Sequence, residues 1–276
     1  ARSQWPQLLL SPVLALLTVS ALWIWIGGFT VAQLMFVTVA AASLPILVNA
    51  AQLRVAARKA GPSQPIQALL RAALPFMWLN AMYLINSRVD VIMLGSLRGA
   101  REAGIYAVAV RAAELVPYLM VVANLTIAPK VSRLHQEGNR EQLQRLATAT
   151  AIRVFLVTLP FALALIVGAR LLLDLFYGTA FVEGAVVIRI LAVSQLVVVG
   201  AGPVGVLLNM TKHASLSAKA LSAGAVLNIV LNAALIPFFG MIGSAIATGI
   251  STAMSYLLSW YMVRRHLSLR PSFLGV

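Results

Sequence analysis

At 276 residues, with 61% hydrophobic and 10% charged positions and a mean hydropathy of +0.93, the chain is too apolar for an ordinary soluble domain. Its net charge of +14 would suggest nucleic acid in a soluble protein, but loop cations that set membrane topology account for most of it, so no nucleic-acid partner is expected. The absence of cysteine excludes disulfide and thiolate chemistry, and His135, His213 and His266, all in predicted loops, offer no metal-ligand spacing.

Backbone groups in hydrocarbon must be hydrogen-bonded within the segment, so runs of about 20 apolar residues read as transmembrane helices. Two such runs, 8–26 and 31–53, open the chain. The first lacks an initiating Met and a small-residue cleavage site, so it does not read as a signal peptide, and the chain is expected to begin within a longer protein. A basic stretch and the turn-rich AGPSQP of residues 60–65 then separate these runs from the rest.

The third run, 72–95, carries Asn86, Arg88 and Asp90 near its outer end, where long side chains reach toward the interface. Two readings fit them: a substrate-facing group, or a polar cluster that packs helices together, with Asp90 the most structural of the three. The fourth run, 104–128, holds Arg111 well inside apolar sequence. A charge at that depth costs about 2.5 to 3.5 kcal/mol on insertion scales. At about 100° per residue Glu114 and Tyr118 share its face, so Arg111 either faces a cavity or is neutralised by Glu114 one turn away.

A polar connector, 131–146, reads as a surface helix interrupted near Gly138. Run 149–168 follows, with Arg153 near its end, and then 169–184, whose amphipathic mix and central Gly178 predict a helix and turn lying at the interface. Run 184–208 contains Arg189, again close to a helix end. In the last two runs, 216–237 and 241–263, Asn228 and Asn232 share a face suited to interhelical hydrogen bonds, and Gly243, Ala245, Ala247 and Gly249 have the small-xxx-small spacing of closely packed helices.

Fourteen Lys and Arg fall in alternate loops starting from the N-terminus and three in the opposite loops, which puts both termini in the cytoplasm and agrees with an even number of spans. The fold class is therefore all-α integral membrane, with about eight helices.

The blocks NSRVDVIMLG (86–95), AGIYAVAVRAAELVPYL (103–119), APKVSRLHQEGN (128–139), LDLFYGTAF (173–181), GVLLNMTKH (205–213) and LNIVLNAALIPFFGMIGSAIAT (227–248) together resemble polysaccharide and oligosaccharide lipid flippases. These are related to lipid II flippases, within the multidrug, oligosaccharidyl-lipid and polysaccharide exporter superfamily. The resemblance implies two six-helix lobes around a central cavity that opens alternately to each side. On that template residues 66–276 form a complete second lobe, and residues 1–65 supply the last two helices of the first lobe and a linker. The remaining first-lobe helices would come from the same full-length chain or from a partner.

The implied activity is transfer of a polyprenyl-pyrophosphate-linked glycan from the cytoplasmic to the outer leaflet of a bacterial inner membrane. No cofactor or catalysis is implied. Membrane lipids and envelope glycan polymerase machinery are the further partners expected. Arg111, in YAVAVRAAELVP, matches the cavity arginine of a YADRLMELP-like motif in lipid II flippases; Glu114 and Pro117 match too, but Val110 stands where the motif has Asp. The candidate substrate-binding set is Arg111, Arg88, Glu114, Asp90, Tyr118 and Asn86.

Two alternatives stay open at this stage. A cation-coupled drug exporter of the same superfamily would rely on carboxylates, of which the spans offer Asp90 and Glu114 against four arginines. A membrane glycosyltransferase or ligase would need a base in an outer loop, where Glu102, Asp174 and Glu183 are the candidates.

Overall fold

The computed structural model describes residues 66–272, and these form helices joined by short turns, with no strand among them. The predicted spans 8–26 and 31–53 and the linker at 60–65 lie outside the described residues. Leu70–Val276 make up one compact unit.

Helix α1 (Ile66–Arg98) ends at Gly99, whose φ of 95° is open to glycine and strained for other residues, and the chain reverses into α2 (Ala100–Ala113). The two run antiparallel: a Cβ on Gly95 would touch Ala103, and Tyr106 reaches back to Asp90. The predicted continuous span 104–128 is instead broken. Residues 114–117 form a tight turn, and α3 (Tyr118–Gln136) leaves at 49° to α2. Pro117 has no N–H to donate and its ring crowds the carbonyl four residues back, which is where the helix gives way.

At the far end of α3, Gly138 takes φ 69°, and its N–H and that of Asn139 bond to the carbonyls of His135 and Leu134, which closes the helix in a Schellman turn. The Asn139 side chain then accepts from the Gln142 N–H at 3.1 Å and starts α4 (Arg140–Tyr177). The predicted interruption at Gly138 is thus met. The predicted interfacial helix over 169–177 is not a separate element: α4 runs through it unbroken, because no helix breaker stands between Gly168 and Gly178 and the leucines there favour helix.

A 3-10 turn (Thr179–Gly184) leads to α5 (Ala185–Gly200). The predicted span 184–208 breaks at 201–203, where Gly202 has φ 78° and Pro203 follows, and α6 (Val204–Met210) resumes. The last 54 residues of helix, α7 (Ala214–Leu267), would be about 80 Å long if straight, far beyond a 30 Å hydrocarbon core. They fold in two at Gly240 (φ 53°, ψ −133°). The arms, 214–239 and 241–267, pack antiparallel, as the contacts of Gly224 with Ser255, Asn228 with Ser251, and Asn232 with Ser244 require.

Among the described residues three helices are long and apolar enough to cross a membrane, or four if the bent α2–α3 pair counts as one. Two apolar cores hold the unit. One joins Leu94, Tyr106 and Val116 to Leu165, Ala169, Ile188 and Ile236; the other joins Ile127 and Val131 to Leu143, Leu207 and Val263. With lipid as apolar as the core, close packing and hydrogen bonds supply the association, so small residues matter. A methyl on Gly224 would occupy the space of the Ser255 hydroxyl.

The two ends differ in charge. At one, Arg98 pairs with Glu102 and Arg101 with Glu183. At the other, the 130–146, 212–219 and 264–270 segments carry mostly cations, and the Gln144 side chain bonds both the N–H and the carbonyl of Arg270.

Candidate functional site

The α1–α2 hairpin carries every candidate residue except Glu114 and Tyr118, which sit in and just after the turn that ends it. Arg88 lies eleven residues before Gly99 and Arg111 twelve after it, so both are about 17 Å along their helices from the same turn. Arg98, Arg101 and Glu102 mark the charged end, and the two deeper arginines stand at a common level well below it. Both are exposed on the described unit. A guanidinium that deep in an apolar segment is costly to leave in hydrocarbon.

Arg111 donates from one terminal nitrogen to the Glu114 carboxylate at 2.8 Å, and both side chains remain about half exposed. The bond engages one of three guanidinium nitrogens, and with no further partner among the described residues the other N–H groups are able to grip an oxyanion in the planar fork that Lys lacks. Glu114 lowers the net charge at the site and keeps the guanidinium oriented. Tyr118 is 62% exposed, and no hydrogen bond ties its hydroxyl to Arg111 or Glu114. The turn at Pro117 lies between them, so the single helical face that groups all three in sequence holds only as far as Glu114.

Two residues along α1, the helix turns Asp90 about 200° away from Arg88. Asp90 is 2% exposed and faces inward, where the Tyr106 hydroxyl donates to it at 2.8 Å and its own carboxylate accepts from the Val91 N–H at 2.9 Å. The Thr248 hydroxyl stands 3.4 Å from it. From there the network continues through Asn228 to Thr248 and Ser251, then Asn232 and Ser244. Among the described residues no cation pairs with Asp90. Neutral hydroxyl and amide groups carry the cost of burying its carboxyl. Asn86 is half-buried, and its side-chain oxygen has no hydrogen-bond partner among the described residues.

The structure therefore brings Arg111 and Glu114 together, puts Arg88 at the same depth, and sends Asp90 into the helix packing. The network through Tyr106, Thr248, Ser251 and Ser244 was not anticipated from sequence beyond its two asparagines and the packing role read for Asp90. A signal was present: Ser244, Thr248, Ser251, Ser255 and Ser259 recur at helical spacing on one face of the second arm of α7. Removing the central acceptor tests its weight. Asp90→Leu is expected to lower stability by about 1 to 3 kcal/mol, because the buried Tyr106 hydroxyl loses its carboxylate acceptor and keeps only the Thr248 hydroxyl, 3.2 Å away, and Asp90→Asn by less. Thermal unfolding in detergent measures this, and a Leu variant as stable as the parent would mean that the network does not hold the helices.

Of the three outer carboxylates named as candidate bases, Asp174 is exposed near the end of α4, and the other two are paired. Glu102 pairs with Arg98 at 3.6 Å and accepts from the Met241 N–H at 3.2 Å, and Glu183 pairs with Arg101 at 3.1 Å.

The family described as lipid II flippase MurJ matches residues 8–274. Agl15 of Haloferax volcanii, described as a probable low-salt glycan biosynthesis flippase, is 24% identical over 184 residues, covering 67% of this chain and 39% of its own length. AglR of the same organism, described as a probable flippase, is 26% identical over 187 residues, 66% of this chain and 39% of its own. An uncharacterized membrane protein of Methanocaldococcus jannaschii is 23% identical over 197 residues, 71% and 46% of the two chains. The chain thus spans less than half the length of these relatives. With the family match running over nearly all of its residues, this multi-pass membrane protein belongs to the lipid II flippase MurJ family.

Proposed function

We propose that the chain forms one wall of a flippase that moves a polyprenyl-pyrophosphate-linked oligosaccharide from the cytoplasmic to the outer leaflet by alternating access. The observation that carries this is the pair Arg88 and Arg111, exposed at one depth on the hairpin and far from the charged end. The diphosphate is the part of such a lipid that hydrocarbon resists most, and guanidinium groups replace its hydration through charge-assisted bonds. In this reading Arg111 and Arg88 contact the diphosphate, Glu114 tunes Arg111, and Tyr118 and Asn86 flank them. Asp90 acts through packing, holding α1 against α2 and α7.

The unit from residue 66 onward is then the second six-helix lobe, and residues 1–65 hold the last two helices of the first. The remaining wall comes from the rest of a full-length protein or from a partner chain, and contact with envelope glycan polymerase machinery belongs to the same proposal. The cationic end lies in the cytoplasm of a bacterium, with both termini of this chain on that side, supported by the bias of Lys and Arg among the loops.

The test uses the full-length protein in sealed vesicles with a fluorescent prenyl-diphosphate-linked sugar and a membrane-impermeant quencher. The labelled lipid is expected to change sides faster than in protein-free vesicles. Equal rates, or chemical turnover of the sugar linkage in detergent, would overturn the reading.

A further inference from the structure

Beside Arg111 a cleft of about 440 Å³ opens between α2 and α4. Arg111, Ala112 and Leu115 form one wall, Leu172, Phe176 and Tyr177 the other, and Leu165, Leu173 and Ile188 complete the lining. Arg111 is the only charged group in that lining. Phe176 and Tyr177 are close to the end of α4 that meets the Gly178 turn, so the cleft runs from the level of the guanidinium toward the end marked by Arg101 and Glu183.

We infer that this cleft seats the first isoprene units of the polyprenyl chain while the diphosphate is held at Arg111. The inference rests on the proposed function and adds to it a separate binding surface for the hydrocarbon part of the substrate. An apolar groove in a membrane has no hydrophobic advantage over the surrounding lipid, which is as apolar as its walls. A free acyl chain therefore gains only packing contacts by entering it. The tail of a lipid whose headgroup is already on Arg111 arrives at high effective concentration, because the first isoprene unit is bonded directly to the diphosphate.

Arg111 thus belongs to both surfaces, its N–H groups to the oxyanion and its methylene stem to the cleft wall, an arrangement long cationic side chains favour. The volume admits only a few isoprene units, so the rest of the chain stays in the bilayer. A seat of this size selects for the branched α-end of a prenyl chain and leaves its total length unread. Lying toward the outer end, it would retain the tail on the side where the product is delivered.

The test fills the cleft without touching the guanidinium. In the full-length protein in phosphatidylcholine nanodiscs, Ala112→Phe narrows one wall and Leu172→Trp the other. Each variant is expected to weaken binding of a farnesyl diphosphate probe about tenfold while leaving binding of inorganic diphosphate unchanged, whereas Arg111→Ala weakens both. A farnesyl diphosphate carrying a diazirine on its first isoprene unit is expected to label Leu115, Leu172 or Phe176 in the unsubstituted protein, which keeps the proposal testable if either variant misfolds.

Unchanged farnesyl diphosphate binding in folded Ala112→Phe and Leu172→Trp proteins, with Arg111→Ala still impaired, would overturn the cleft and leave the headgroup site standing. Equal labelling by a photoreactive phosphatidylglycerol that farnesyl diphosphate does not displace would also overturn it, since the cleft would then hold ordinary lipid. No effect of Arg111→Ala on either probe would instead remove the headgroup site on which the proposed function depends.

Discussion

Arg111→Ala in the full-length protein is expected to slow translocation of a prenyl-diphosphate-linked sugar by about tenfold to a hundredfold. A hydrogen bond to a charged group contributes about 1.5 to 3 kcal/mol, and about 1.4 kcal/mol is a factor of ten. Arg111→Lys should fall between, because the charge survives but the planar fork does not. Glu114→Gln separates charge balance from orientation: with the carboxylate gone, the diphosphate is held more tightly and released more slowly. Stability should change little in all three, since the Arg111–Glu114 pair is half exposed and such pairs contribute little to folding. A parental rate in Arg111→Ala vesicles would show that the deep arginine is a structural ion pair and nothing more.

The second large effect is on folding. Gly240 turns the long last helix back on itself with φ 53° and ψ −133°, a backbone region that side chains with a Cβ avoid. The space is also taken: an added Cβ would meet the Glu102 carboxylate and the Arg98 guanidinium. Backbone strain of this kind costs about 1 to 3 kcal/mol before any clash is counted. Gly240→Ala is therefore expected to lower the unfolding midpoint in detergent sharply, and Gly240→Val to prevent the hairpin from forming. A variant with the parental midpoint would contradict the claim that the fold depends on this turn. Glu102 ties the turn to the α1–α2 hairpin through the Met241 N–H, so damage at Gly240 would reach the elements that carry Arg88 and Arg111.

How far this was legible in sequence varies with the physics of each element. Apolar run length located the helices from residue 72 onward, because the hydrocarbon thickness sets a minimum length that composition records. The breaks were harder. Pro117 and the Gly202–Pro203 pair were visible, yet proline is tolerated within membrane helices, and only the packed structure has the chain turn at both places. At Gly178 the glycine did end a helix, but α4 reaches it as one piece, since nothing in ARLLLDLFY interrupts helical hydrogen bonding.

The candidate site divides in the same way. Arg111 stood out because charge in an apolar run is rare, and its distance to Glu114 follows from helical spacing alone. Asp90 was read as more structural than Arg88, but their separation into a buried and an exposed group depends on which face of α1 meets α2 and α7. The cleft beside Arg111 was illegible. Leu115, Leu172 and Phe176 lie in sequence that is apolar all round, where no period distinguishes a groove from a lipid-facing surface.

The central claim, that the Arg111 face lines a water-filled substrate path, is tested most directly by thiol accessibility, since the chain has no cysteine of its own. Gly104 lies two turns before Arg111 on the same face of α2, with nothing within 4 Å of an added Cβ. Val167 on α4 is 81% exposed within the apolar run 149–168 and serves as the control expected to face lipid. In the full-length protein, with any cysteines elsewhere replaced, Gly104→Cys is expected to react with a membrane-impermeant maleimide and to be protected by a prenyl diphosphate, while Val167→Cys stays unreactive. A Gly104→Cys protein as inert as Val167→Cys would contradict the account.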